Sequence, residues 1–119
     1  LILKNYSNYN SSIINISSYS AISGGKNIHL YAASKSALNT LIIALSKDKL
    51  KKRIQIASII PRHIDTSSFR KNNNIKNNKD LIFFKKHKRV KKPKELANFI
   101  YKRFIKIVKK TSQPIIFYD

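Results

Sequence analysis

Residues Ser17 to Lys35 read SSYSAISGGKNIHLYAASK, and the fold follows from what flanks this stretch on either side. On its N-terminal side, Ser12-Ile13-Ile14-Asn15-Ile16-Ser17 is a short β-branched run ending in small polar residues. Such a run predicts a strand buried on both faces of a parallel sheet. Inside the stretch, Gly24-Gly25 and Asn27 suit a loop. From Tyr31 to Leu50 the apolar residues Ala33, Ala37, Leu38, Leu41, Ile42 and Leu45 recur at steps of three and four, predicting a helix with one apolar stripe. Its end, Lys47 to Arg53, is mostly cationic, which favours a helix C-terminus. Ile54 to Ile60 is a second strand, stopped by Pro61 because proline cannot donate to a ladder. Strand, loop, helix, strand makes a βαβ unit, whose strands run parallel. The fold class is α/β.

Further out the signal thins. Arg62 to Asp80 is polar, rich in Asn and Lys and without a period, so it reads as a mobile loop. Leu81 to Phe84 is a small apolar patch, and Lys85 to Lys92 is a basic run. Pro93 then opens a helix with Glu95 in its first turn. Leu96, Phe99, Ile100, Phe104, Ile107 and Val108 line its apolar face, and Pro114 to Tyr118 reads as a short last strand. At the other end, residues 1–11 are Asn/Ser/Tyr-rich and read as a frayed segment. Residues 1–11 and 67–92 are expected to be flexible.

The 119 residues suffice for one modest core. There is no cysteine, which excludes disulfides and thiolate chemistry, and His29, His63 and His87 show no metal-ligand spacing. No apolar run approaches the roughly 20 residues that span a bilayer, and no signal peptide is legible, so a cytoplasmic protein is expected. The formal net charge is +20, from 25 Lys and Arg against 5 Asp and Glu. A field of that sign attracts nucleic acid and other polyanions. Lys, Asn and Ile together fill roughly two fifths of the chain, well above ordinary usage. All three have A/T-rich codons, so compositional drift is the competing reading of the charge.

The chemistry lies in the central stretch. Tyr31 and Lys35 are four apart, so a helix places them on one face. A phenol in water titrates near 10, and an ammonium beside it favours the phenolate. Ser18, brought back by the loop, supplies a hydrogen-bond donor for an oxygen whose charge changes. Tyr-x-x-x-Lys alone is a weak signal in a Lys-rich chain, where a helix-start aromatic and a solvated cation produce it by chance. The ordered set carries more: Asn15-Ile16-Ser17-Ser18 after a strand, Tyr31-Ala32-Ala33-Ser34-Lys35 opening a helix, and Pro61-Arg62-His63-Ile64-Asp65-Thr66 after the next strand.

In that set the chain resembles the short-chain dehydrogenases/reductases, strongly over Ser12 to Arg70 and weakly beyond. The resemblance implies part of a Rossmann-like, doubly wound parallel sheet, with a βαβ core, a C-terminal helix and a last strand. It implies an NAD(P)-dependent oxidoreductase moving a hydride between NAD or NADP and a small-molecule alcohol/carbonyl pair. By it, Tyr31 is the general acid/base, while Lys35 favours the phenolate and holds the nicotinamide ribose. Ser18, chosen over Ser17 by its interval to Tyr31, positions the substrate oxygen. Tyr31, Lys35, Pro61, Ile64 and Thr66 are the expected cofactor contacts, and the Tyr31–Leu50 helix is the expected seam of a homodimer.

Departures from the family pattern set further expectations. The only glycines are Gly24 and Gly25, so these residues contain no GxGxxG-type turn. Family members are about twice this length, with two mononucleotide-binding halves. The whole chain, 1–119, therefore reads as the C-terminal half of such a domain with the dinucleotide-binding half absent, and activity of these residues alone is not expected. Arg62 stands where the family has glycine. Asp65 reads as a cap for the next turn. Two alternatives stand beside the enzyme: a basic nucleic-acid-binding protein, in which Phe83 and Phe84 beside Lys85 to Lys92 stack on bases, and a gene remnant without a biochemical role.

Overall fold

Isoleucine dominates both strands of the βαβ unit, and it is the second of them that carries the core. The computed structural model describes residues 11–47, 54–88, 90–106 and 114–119. Strand β1 (Ser11–Ile16) pairs in parallel with β2 (Ile54–Pro61), Ser11 opposite Ile54 and Ile16 opposite Ile59. Ser17 N–H extends the ladder by donating to the Ile59 carbonyl at 2.8 Å. A third strand, β3 (Ile115–Tyr118), lies on the far side of β2, giving the order β1-β2-β3. Ser58 N–H donates to the Pro114 carbonyl and Arg62 N–H to that of Tyr118. Both partners advance by four residues in the same sense, so this pair is parallel as well. The three-stranded parallel sheet with interleaved helices bears out the α/β, Rossmann-like expectation.

Central position explains a difference from the sequence reading. Ala57, Ser58, Ile59 and Ile60 of β2 are essentially inaccessible. Strand β1 has a single neighbour among the described residues, is only half-buried, and exposes Ser12 and Ile16. The strand buried on both faces is therefore β2, not β1.

The chain divides into two units, Leu1–Ile60 with Lys109–Phe117 and Pro61–Val108 with Tyr118–Asp119. In the first, a short helix α1 (Ser20–Ser23) is followed by the long helix α2 (His29–Lys47), which starts two residues before the expected Tyr31. The expected end, residues 48–50, lies outside the described residues, as do 1–10. The buried face of α2 is not its apolar stripe. Asn39 and Ile42 are buried, with Ala32, Lys35 and Leu45 half-buried, whereas Ala33, Ala37, Leu38 and Leu41 are exposed. Asn39 faces inward because its Oδ1 accepts from Ser58 Oγ at 2.7 Å, and Ser58 Oγ in turn accepts from Asn15 Nδ2 at 2.8 Å. A buried amide is tolerated only with such partners. These three polar residues join β1, β2 and α2.

In the second unit, α3 (Ser67–Asn72) forms inside the stretch read as a loop, and α4 (Asn78–Lys88) runs from the end of that stretch through the apolar patch into the basic run. Caps rather than periodicity define them. Thr66 Oγ1 accepts from Phe69 N–H at 3.1 Å, and Asn77 Oδ1 accepts from Asp80 N–H at 3.0 Å. Phe69 holds α3 and α4 together, meeting Phe84 edge-on at 6.0 Å and His63 at 5.7 Å between centroids. Ile64 and Lys91 form a parallel bridge, Asp65 N–H donating to the Lys91 carbonyl and Lys91 N–H to that of His63.

Helix α5 (Pro93–Ile100) opens at proline as expected, and Glu95 Oε2 accepts from Lys92 N–H at 2.6 Å. It runs on as a π-helical segment, Tyr101–Lys106. Phe104 is buried and Leu96, Phe99 and Ile100 are half-buried, in line with the expected face; Ile107 and Val108 lie outside the described residues. Phe99 meets Tyr118 at 5.0 Å. Burial, and secondarily the Glu95 carboxylate, push the Tyr118 phenol above its ordinary value.

Candidate active site

Strand β1 ends at Ile16, and the next two residues differ in what they offer. Ser17 is buried, its Oγ without a hydrogen-bond partner among the described residues. Ser18 is half-buried; its Oγ accepts from Ser20 N–H at 3.2 Å and its carbonyl from Ala21 N–H at 3.0 Å, which start α1. A hydroxyl that accepts from a backbone amide keeps its own proton to donate.

The return from α1 to α2 needs glycine once. Gly24 sits at φ 65°, ψ −159°, a region that residues with a Cβ essentially do not enter. Asn27 follows at φ 62°, a left-handed position that asparagine tolerates. The turn delivers the chain to the first turns of α2, where Tyr31 is 47% exposed. Lys35 lies one turn on, its Nζ 6.0 Å from the centre of the Tyr31 ring. The same Nζ donates to the Ile16 carbonyl at 2.9 Å. Lys35 is thus moored to the end of β1, two residues before Ser18, while lying beside Tyr31. Ser34, between them in sequence, turns its hydroxyl back to the Tyr31 carbonyl at 2.8 Å.

The residues after β2 belong to the second unit. Pro61 is buried as the last residue of β2, Ile64 is half-buried in its bridge to Lys91, and Thr66 is exposed at the start of α3. Thr66 takes the capping role that the sequence reading assigned to Asp65. Thr66 has the extended backbone of a capping residue, φ −123° and ψ 165°. The Asp65 carboxylate instead receives the Arg70 fork, Nε to Oδ1 at 2.6 Å and Nη2 to Oδ2 at 3.0 Å. That bidentate bond, against a smaller cost from burial, holds the Asp65 carboxyl below its ordinary value, with help from the Arg70, Lys85 and Lys92 charges. Arg62 stands 3.9 Å from the Asp119 carboxylate. Among the described residues no group of three His, Asp or Glu side chains is placed to hold a metal.

The short chain dehydrogenase family matches residues 2–77, well over half of the chain and the whole of the Ser18–Tyr31–Lys35 arrangement. The chain belongs to the short chain dehydrogenase family. Membership places it among oxidoreductases that use NAD or NADP and act on small molecules. The matched region is the N-terminal one, where the family's dinucleotide-binding half lies. It overturns the expectation of a C-terminal half with the dinucleotide-binding half absent. That expectation rests on the lack of a GxGxxG-type turn and on length, and neither fixes which part of the family a segment matches. No match was found among curated proteins. Among the described residues no helix is long and apolar enough to cross a membrane.

Proposed function

We propose that the chain is an NAD(P)-dependent oxidoreductase acting in the cytoplasm on a small-molecule alcohol/carbonyl pair, with Tyr31 as general acid/base. The observation that carries this reading is the double placement of Lys35, bonded to the Ile16 carbonyl and lying beside the Tyr31 ring. An ammonium has three N–H donors; one is spent on Ile16, leaving two for the cis-hydroxyls of a nicotinamide ribose. The donor set therefore fits the cofactor. The nicotinamide, when bound, supplies the hydride chemistry.

The chain's own residues handle the proton and the substrate oxygen. Tyr31 gives a proton to the carbonyl oxygen in reduction and takes it from the alcohol in oxidation, through a hydroxyl that its exposure leaves open to a substrate. Lys35 stabilises the phenolate that forms when the proton leaves. Ser18 donates to the substrate oxygen; its half-exposure, against the burial of Ser17, supports choosing it over its neighbour. Pro61, Ile64 and Thr66 are assigned to the cofactor, Ile64 and Thr66 at the carboxamide.

The test is turnover of a panel of alcohols, aldehydes and ketones with all four nicotinamide forms, beside NAD(P)H fluorescence as a binding readout. Tyr31→Phe should retain cofactor binding and lose roughly 10²–10⁴-fold in kcat, the span of acid/base catalysis. Lys35→Met should lose both. Unchanged turnover in Tyr31→Phe would sink the mechanism.

A partner is also proposed for α2, a second copy of this chain. Leu30, Leu38 and Leu41 stand exposed on that helix, Leu41 by 50%, and a second such face would cover them.

A further inference from the structure

Helix α4 carries a surface that oxidoreductase chemistry does not use. Its inner side is Leu81, buried, and Phe84, half-buried against Phe69. Its outer side is Lys79, Ile82, Phe83 and Lys86, all exposed, Ile82 by 64% and Phe83 by 62%. The spacing i, i+3, i+4, i+7 puts these four on one face. Along the axis the two lysines stand about 10 Å apart, at 1.5 Å per residue, with the apolar pair between them.

The acidic residues cannot silence this face. Five Asp and Glu stand against 25 Lys and Arg in the chain, a formal net charge of +20. Near α4 the Asp65 carboxylate is engaged by Arg70, and Asp80 Oδ2 accepts from the Lys76 backbone at 3.0 Å. A membrane-surface helix would continue its apolar stripe at the neighbouring positions of the same face. Here those positions, 79 and 86, are both lysine, which closes the stripe after one apolar pair.

We infer that this face of α4 binds single-stranded nucleic acid, the Phe83 ring stacking on a base and Lys79 and Lys86 meeting backbone phosphates on either side. Stacking on an exposed aromatic flanked by cations is tolerant of sequence, so the surface reads strand and charge rather than a base order. The inference goes beyond the proposed enzymatic reading and uses none of its residues.

The experiment is fluorescence anisotropy of labelled oligo-dT and oligo-U against the full chain across a salt series. Phe83→Leu keeps an apolar side chain but loses the flat ring. It should weaken binding at least fivefold with the salt slope unchanged. Phe83→Trp, which keeps a ring, should bind as the parent does, which separates stacking from misfolding. Lys79→Gln/Lys86→Gln should lower the log–log salt slope by about 1.4, at 0.7 per phosphate contact. The exposed pair Lys26→Gln/Lys47→Gln, in the first unit, should change affinity far less. Equal losses from both lysine pairs, or no effect of Phe83→Leu, would reduce the binding to net charge and overturn the site. Phe83-dependent binding to phosphatidylserine vesicles without such binding to oligonucleotides would overturn it in favour of a membrane surface.

Discussion

Lys35 illustrates how one side chain acquires two duties. A lysine on a helix in a chain with 25 cations is by default a solvated charge. Here its stem crosses to β1 and its ammonium is fixed on the Ile16 carbonyl. Ser58 is the structural counterpart. Its hydroxyl accepts from Asn15 and donates to Asn39 in a fully buried setting. Ser58→Ala should cost about 1–3 kcal/mol, because the buried Asn39 amide loses its donor and the half-buried Asn15 amide its acceptor. Urea denaturation would measure this, and a midpoint equal to the parent's would show the network to be dispensable.

Asp65 gives a pH signature at the same scale. Its carboxyl is held below the ordinary value in the folded chain, mainly by the Arg70 fork, so the folded state binds its proton less readily than the unfolded one. The pair's stabilisation is therefore complete above the unfolded carboxylate value, about 3.9, and is lost as the pH falls through the lower folded value. Asp65→Asn should melt below the parent at pH 7, with the gap closing below about pH 3.9. A gap of the same size at pH 2 and pH 7 would remove the ion pair as its cause. Arg70 keeps its charge throughout this range.

Among the elements, α2 departs furthest from its pattern. Its apolar positions were legible, but a helical wheel cannot say which neighbour covers them. The Asn39–Ser58 bond turns the helix so that an asparagine and a lysine face the sheet and three leucines face out. The expected outcome is association: the parent should sediment as a dimer at tens of micromolar, and Leu38→Glu/Leu41→Glu as a monomer with unchanged helicity. A monomeric parent at that concentration would overturn the proposed seam. Helices α3 and α4 were missed for a related reason. Each is started by a single side-chain-to-backbone bond, from Thr66 and Asn77; α3 holds one apolar side chain, Phe69, and the apolar residues of α4, Leu81 to Phe84, are consecutive, so neither shows a helical period. By contrast β2 and α5 were legible, because Pro61 and Pro93 punctuate them through proline's fixed φ and missing donor.

For the whole molecule, charge and family pull toward different partners without conflict. The +20 balance dictates that any polyanion will be attracted, most strongly at low salt. Family membership dictates a small-molecule oxidoreductase at the coarse level. The two proposals draw on different residues, so Tyr31→Phe should leave oligonucleotide binding untouched and Phe83→Leu should leave turnover untouched.

What the sequence determined by itself is the order of strand, helix and strand, and the pairing of Tyr31 with Lys35. Both follow from local geometry, since side-chain periods and a four-residue helical step need no distant partner. Tertiary structure alone decided which strand is central, which face of α2 is buried, that Lys35 reaches Ile16 and that Thr66 rather than Asp65 caps α3. Each depends on groups from separate elements, or on competing partners for one carboxylate. Such choices are settled by which polar atoms find a hydrogen bond, and that becomes visible only when the chain is folded.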